Sequence, residues 1–273
     1  MKSYKTALSI KRGYNKVEFP EKAFNYITGF GVIFLRYGEE ILLESGTSEV
    51  ALVIFGGTCD ITLDGKTFKG LGRRKTVFDD LPSAIYVPRD TKYVLKGYDA
   101  EIGICSAKCD KRSKFAVISP EDIKIMQVGR DNWQREVRMI IGDNSPSVNL
   151  IVGETINPAG NWSGTPPHRH ETLKLPQESL HEELYYFKMA KPGAFGIQRI
   201  YSPERGVEET ILLKNNEITF IPWGYHQIVA GPGYKMYYLF LLAGEGKRLA
   251  GCVDPDHSWL IKNNEEVKDA IRR

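Results

Sequence analysis

Thr219-Phe220-Ile221-Pro222-Trp223-Gly224-Tyr225-His226 reads as the end of one strand, a Pro-x-Gly turn and the opening of the next strand, which begins with an aromatic residue and a histidine. The same grammar stands earlier as Ile85-Tyr86-Val87-Pro88-Arg89-Asp90-Thr91-Lys92-Tyr93, with a tyrosine where the later copy has His226. Upstream, Val53-Ile54-Phe55-Gly56-Gly57 and Ile61-Thr62-Leu63 precede the first copy, as Leu184-Tyr185-Tyr186-Phe187 and Phe195-Gly196-Ile197-Gln198 precede the second. One β-unit is therefore expected twice in tandem. The remaining sequence agrees, because short β-branched and aromatic runs closed by Gly, Pro, Asn or Asp recur throughout, from Gly31 to Arg36 through Lys235 to Leu242. Helical periodicity is confined to Asn264 to Arg272. The expected fold is all-β, with one barrel in residues 1–128 and a second in 129–273, joined where Ser119-Pro120-Glu121-Asp122 opens a helical turn and Gly129-Arg130-Asp131-Asn132 reads as loop.

A chain of 273 residues buries a full core without disulfides. Its 37 basic and 34 acidic residues leave a formal charge of +3 with no long run of one sign, so the electrostatic footprint of a nucleic-acid binder is missing and small molecules are the expected partners. Cys59, Cys105, Cys109 and Cys252 form no C-x-x-C pair, and the N-terminal stretch lacks an apolar secretory run, which points to a cytoplasmic protein. No window approaches the roughly 18 apolar residues of a spanning helix. No membrane partner is expected.

All five histidines lie in the second half, and residues 1–167 contain none. Residues two apart on a strand point the same way, so His168 and His170 in Pro167-His168-Arg169-His170 can present two ring nitrogens to one point. A third ligand is expected on a neighbouring strand, where Glu182 and Glu183 precede Leu184 to Phe187; alternation alone does not choose between them. His226 completes the set. Three imidazoles and a carboxylate suit Zn, Mn, Fe, Ni or Co. His181 and His257 lack comparable spacing.

This order of motifs, His-x-His, Glu, then Pro-x-Gly with His, resembles the cupin superfamily, which implies two tandem cupin-type jelly-roll barrels. Gly160-Asn161-Trp162-Ser163, the segment Leu175 to Ser179 between the His pair and the Glu, Glu182 to Tyr186, Gln198 to Tyr201, Gly224-Tyr225-His226 and Asp254 to Trp259 look like the 5-deoxyglucuronate isomerases of bacterial myo-inositol catabolism. The resemblance covers essentially the whole chain. It implies that only the second barrel binds metal, that Glu183 is the carboxylate ligand, and that a divalent ion, zinc first, assists an aldose to ketose isomerisation of a deoxy-uronate. A neighbouring family, the 4-deoxy-5-ketouronate isomerases, has a much shorter segment between the His pair and the Glu. The chain departs from the resembled family at Phe187, where a histidine is frequent, at Gln227, where a proline is common, and at Phe240, often an asparagine.

Such an isomerisation needs a proton shuttle with a suitable pKa, for which Glu182, His181, Glu209, Tyr185 and His257 are the available types. A uronate carboxylate needs a cation. Arg199 on the strand Phe195 to Tyr201 is the expected partner, its alternative being an outward residue paired with Glu208 or Glu209. Gln198, Glu209 and Trp223 are expected to line the substrate site, with Tyr185 and His257 completing the catalytic set. Arg73-Arg74-Lys75 reads as a solvated loop with a domain interface as the alternative. A metal-dependent dioxygenase and a non-catalytic sugar-binding cupin are the remaining rivals, and a homo-oligomer is compatible with the sequence.

Overall fold

The computed structural model describes residues 4–261, so the helical periodicity read at Asn264 to Arg272 lies outside the described residues. Three sheets account for nearly all of the rest. The first barrel is one eight-stranded sheet whose spine runs Gly13–Lys16, Ile27–Leu35, Lys92–Lys108, Ser48–Leu63, Ser83–Val87 and Ala116–Ile118, with Glu40–Glu44 and Lys66–Leu71 attached to the two long strands. Those long strands serve both walls because they bend, with register shifts on either side of Gly56. Gly57 sits at φ +75°, and a Cβ there would come within 2.2 Å of the Asp99 carbonyl, so the bend requires glycine.

In the second barrel two separate sheets form the walls. One has the spine Lys5–Ala7, Glu217–Ile221, Glu178–Met189, Met236–Gly244, Leu150–Asn157, Arg135–Ile141 and Lys124–Val128, with Glu171–Lys174 paired to Glu178–Met189. The other runs Val207–Leu213, Gly196–Ser202, Tyr225–Ala230, Trp162–Arg169 and Cys252–Val253. The unit expected to end at residue 128 therefore gives up its last strand, Lys124–Val128, to the second barrel, and also lends it Lys5–Ala7 at the opposite edge. The junction falls at the short helical turn Pro120–Asp122 instead.

Strand register equates the two halves: Glu49 faces Ala107 and Leu52 faces Ile104, as Glu182 faces Ala243 and Tyr185 faces Phe240. Alternation then separates two kinds of surface. Val50, Leu52 and Ile54 fill the interior of the first barrel; Tyr185 and Phe187 fill that of the second. The intervening residues Ala51, Val53 and Phe55 pack against Leu184 and Tyr186, so the barrels stand back to back over one shared core. Tyr93, the counterpart of His226 in the repeated motif, is 3% exposed inside the first barrel.

Polar groups lock this interface reciprocally. The Glu182 carboxylate accepts the backbone N–H groups of Asn25 (2.6 Å), Tyr26 (2.8 Å) and Ile27 (3.2 Å), where the strand Ile27–Leu35 begins. Its counterpart Glu49 accepts those of Val148 (2.7 Å), Asn149 (2.7 Å) and Leu150 (2.8 Å), where Leu150–Asn157 begins. Arg74 is also part of the interface: buried, it makes a two-bond pair with the buried Glu154 at 2.8 and 3.0 Å, and Arg138 joins at 2.9 Å. Of the expected solvated loop, Arg73 and Lys75 keep their place, both exposed, with Arg73 beside Asp80 and Glu121.

Candidate metal centre

His168, His170 and His226 each offer one ring nitrogen to a common point, and these atoms lie within 4.8 Å of one another. Two are brought together by strand pairing, since His168 on Trp162–Arg169 lies directly opposite His226 on Tyr225–Ala230. The Pro-x-Gly turn gives His226 its entry: Gly224 adopts φ +90°, and a Cβ there would press within 2.8 Å of the Tyr201 carbonyl. His170 follows at the strand's end and is held by the returning segment, where the His181 N–H donates to the His170 carbonyl (2.8 Å) and the His181 carbonyl accepts from His170 Nδ1 (2.8 Å). The segment between the His pair and the Glu thus folds as a hairpin whose far strand supports the second histidine.

The Nδ1 atoms settle the tautomer of all three rings. Those of His168 and His226 lie 3.0 and 3.1 Å from the carbonyls of Pro166 and Gly224, and His170 Nδ1 bonds the His181 carbonyl. Each Nδ1 therefore carries the hydrogen and donates it to backbone, leaving an Nε2 lone pair for the centre. Glu183 Oε2 stands 3.1 Å from His170 Nε2 and 3.0 Å from His226 Nε2. These four donors fit a divalent first-row ion: the imidazoles are pre-oriented, one carboxylate supplies charge, and the buried centre is otherwise costly.

Burial sets the electrostatics. It pushes His168 down to about 3, with the neighbouring His226 and His170 adding to the shift. His170 also suffers desolvation, but its hydrogen bond to Glu183 and the charge there raise it overall. Glu183 is desolvated too, yet the adjacent imidazoles hold its carboxyl well below the usual range. The choice left open by alternation is now decided by direction: Glu183 shares the interior face with Tyr185, whereas Glu182 points to the other barrel.

The centre opens into a cavity whose other walls include Arg135, Thr155, Thr165, Tyr185, Tyr238 and Phe240. Of the expected site residues, Tyr185 is here, buried, its ring 5.9 Å from that of His226 and 5.1 Å from that of Tyr238. Burial and the charge of Glu183 raise its pKa well above the ordinary value.

Several others lie elsewhere. Glu182 is no proton shuttle because its oxygens are taken up by the backbone of residues 25–27. Arg199 is on the outer face, where Glu208 holds it at 2.6 and 3.0 Å and its guanidinium lies 3.8 Å over the Tyr201 ring. Glu209 is exposed on the adjoining edge strand. Trp223 packs edge-on to Tyr4 and beneath Arg205, outside the cavity. His257 sits half-buried in the turn Pro255–Leu260, away from the imidazole cluster. Gln198 is fully buried with both amide atoms lacking a partner, yet it does not line this cavity. His181 is buried at the site's edge, its Nε2 3.0 Å from the Gly246 carbonyl.

Phe187 belongs to the barrel interior beyond Tyr185 and does not line the cavity, whereas Phe240 does. Arg135 and Tyr238 were missed. Tyr238 had a signal, since it stands two residues before Phe240 on one strand and so shares its face. Arg135 had only the alternation Arg135, Val137, Met139, which a loop reading of the preceding residues obscured.

This arrangement matches known proteins throughout the chain. Residues 9–260 fit the model of the KduI/IolB family. The chain belongs to that family. Among KduI/IolB relatives, a 5-deoxy-glucuronate isomerase from Geobacillus thermodenitrificans is 33% identical over 251 residues, covering 91% of this chain and 92% of the relative. One from Bacillus subtilis strain 168 is 32% identical over 236 residues, covering 85% and 87%. The crystal structure of an IolB-like protein from Salmonella typhimurium LT2 superimposes with a TM-score of 0.90 at 28% identity, covering 95% of this chain and 99% of that one. An oxalate decarboxylase from Lactobacillus farciminis, at 11% identity, has a TM-score of 0.65 over 90% and 87% of the chains, a likeness of fold that identifies the tandem cupin barrels. A KduI/IolB member with isomerase relatives of this coverage is an isomerase.

Proposed function

We propose that the protein converts 5-deoxyglucuronate to 5-dehydro-2-deoxygluconate, an aldose to ketose isomerisation, at the centre formed by His168, His170, Glu183 and His226. The observation that carries this is the shared orientation of three imidazoles: every Nδ1 is spent on a backbone carbonyl, leaving three Nε2 atoms beside one carboxylate. Relatives named for this reaction, alike over some nine-tenths of each chain, support the substrate class.

These four residues would hold a divalent ion, zinc by preference, which when bound would supply Lewis acidity for the isomerisation of the sugar acid. The remaining work belongs to the chain. Tyr185, whose pKa is raised by burial, keeps its proton at neutral pH and serves as a hydrogen-bond donor to substrate oxygen rather than as a base. Tyr238, raised likewise, shares a short hydrogen bond with Ser163 that fixes its hydroxyl inside the barrel. Phe240, Leu242 and Leu249 wall the cavity with apolar surface, excluding water that would compete for the carbon-bound proton in transit.

The test is direct. Zinc-loaded protein incubated with 5-deoxyglucuronate is followed by NMR, with 4-deoxy-5-ketouronate in a parallel sample. Loss of the aldehyde hydrate signal and growth of a ketone are expected from the first only. An unchanged spectrum there, or faster turnover of the ketouronate, overturns the proposal.

A further inference from the structure

Arg135 occupies the cavity wall in a condition that protein interiors rarely tolerate. It is 8% exposed, and no carboxylate pairs with it among the described residues. Its hydrogen bonds run from Nη1 alone, to the carbonyls of Trp133 (3.2 Å) and Thr165 (3.3 Å), while Nε is buried with no partner at all. An unpaired buried cation is expensive, and two neutral carbonyls at long range offset that cost only in part. By contrast Arg74, buried in the interface, has both oxygens of Glu154.

The surroundings keep the guanidinium unpaired on the cavity wall. Gly129 lets the preceding loop pass over it: a Cβ there would come within 3.0 Å of Arg135 Nη1 and 2.3 Å of the Trp133 carbonyl. Phe240 and Val137 on the same wall carry no charge, and the Glu183 carboxylate is engaged by His170 and His226. Guanidinium, unlike ammonium, is planar and presents two parallel N–H bonds to a carboxylate.

We propose that Arg135 forms the anion subsite of this cavity, its free Nε edge receiving the carboxylate of the sugar acid while the opposite, carbonyl end of the substrate lies at the histidine cluster. Arg135 then selects acids over neutral aldoses and replaces Arg199 as the cation for which the substrate calls. This deepens the reading of the centre as a uronate isomerase and rests on it.

A matched pair of substrates isolates the effect: 5-deoxyglucuronate, and 5-deoxyglucose, in which a hydroxymethyl group stands where the carboxylate would be. Wild type should favour the acid in kcat/KM, and Arg135→Gln should lower kcat/KM for the acid by about 100-fold, or roughly 2.7 kcal/mol, while the neutral sugar changes less than about threefold. Arg135→Lys should recover part of the preference. Unequal substrates in wild type that remain equally unequal in both variants would overturn the proposal, as would parallel losses for the two sugars, which is how a purely structural arginine behaves. A binding measurement covers the case in which the variants fold poorly. Calorimetric titration of zinc-loaded wild type with the aldehyde-reduced acid, which cannot isomerise, and with its neutral alditol should show tighter binding of the acid by tenfold or more. Equal binding sinks the subsite. Turnover of the acid without that preference would leave the isomerase reading standing and remove Arg135 alone; selective binding with no turnover would do the reverse.

Discussion

At the scale of single residues, two buried groups carry distinct expectations. Among the described residues Glu183 is the carboxylate that meets His170 and His226, so Glu183→Gln keeps the shape but removes the negative charge. Outer residues around metal sites typically cost about 10 to 100-fold in affinity when replaced, and a direct donor should cost at least about 100-fold. Zinc content after dialysis and competition with a chelating dye measure this. His181 tests pH dependence. Its pKa falls from the ordinary 6.5 to about 4, chiefly through burial and secondarily through His170. Because the folded-state value lies below the unfolded one, this contribution to stability is complete above pH 6.5 and disappears as the pH falls toward 4. His168, lowered to about 3, acts in the same direction. His181→Gln should therefore flatten the loss of stability between pH 7 and pH 4 by about 3 kcal/mol at most. Denaturant melts of metal-free protein at both pH values should show the smaller slope; a slope unchanged from wild type would assign the acid sensitivity elsewhere.

The strand Glu178–Met189 shows how one element can face two functions. Its odd-numbered residues Glu183, Tyr185 and Phe187 enter the barrel, and its even-numbered residues Glu182, Leu184 and Tyr186 enter the interface. Glu182→Gln should therefore leave zinc content unchanged while lowering the melting temperature by about 4 to 10 °C, the effect of losing roughly 2 to 3 kcal/mol of charge-assisted hydrogen bonding in a chain of this size. Loss of metal with unchanged stability would contradict that division of labour. Much of this element was legible in sequence, since its aromatic run and the order His-x-His, Glu, Pro-x-Gly-His bring the candidate ligands together without coordinates. The choice of Glu was not, because both faces of this strand are buried and alternation has no solvent side to mark. Arg199 misled for a related reason: in its strand Gly196–Ser202 only Ile197 and Arg199 are less than buried, and a charge in its middle reads equally as a ligand or as a solvated partner of Glu208. Arg135 was illegible because nothing local separates a cation aimed into a cavity from one on an edge.

Across the whole molecule, the barrels depend on each other. Tyr186, Phe55, Phe30 and Tyr237 meet in one apolar core, and Arg74 crosses to Glu154 with neither exposed. Breaking one member of such a pair strands a charge, so Arg74→Met should cost about 3 to 5 kcal/mol, and Arg74→Met with Glu154→Leu should recover most of it. Melts of both single variants and of the double variant read this out, and a double-variant loss equal to the sum of the two single losses would mean that the pair contributes no mutual energy. The tandem repeat was visible in the recurring strand, proline turn and inward residue, but the addition of Lys5–Ala7 to the second barrel was not, because a strand partner as distant in sequence as Glu217–Ile221 leaves no local trace. The reciprocal grip of Glu49 and Glu182 fastens the seam from both sides. Each barrel holds the other by the same residue type at the same register, which is the signature of a two-fold contact between identical subunits. Taking away either glutamate therefore releases one side of the seam and leaves the other side fastened.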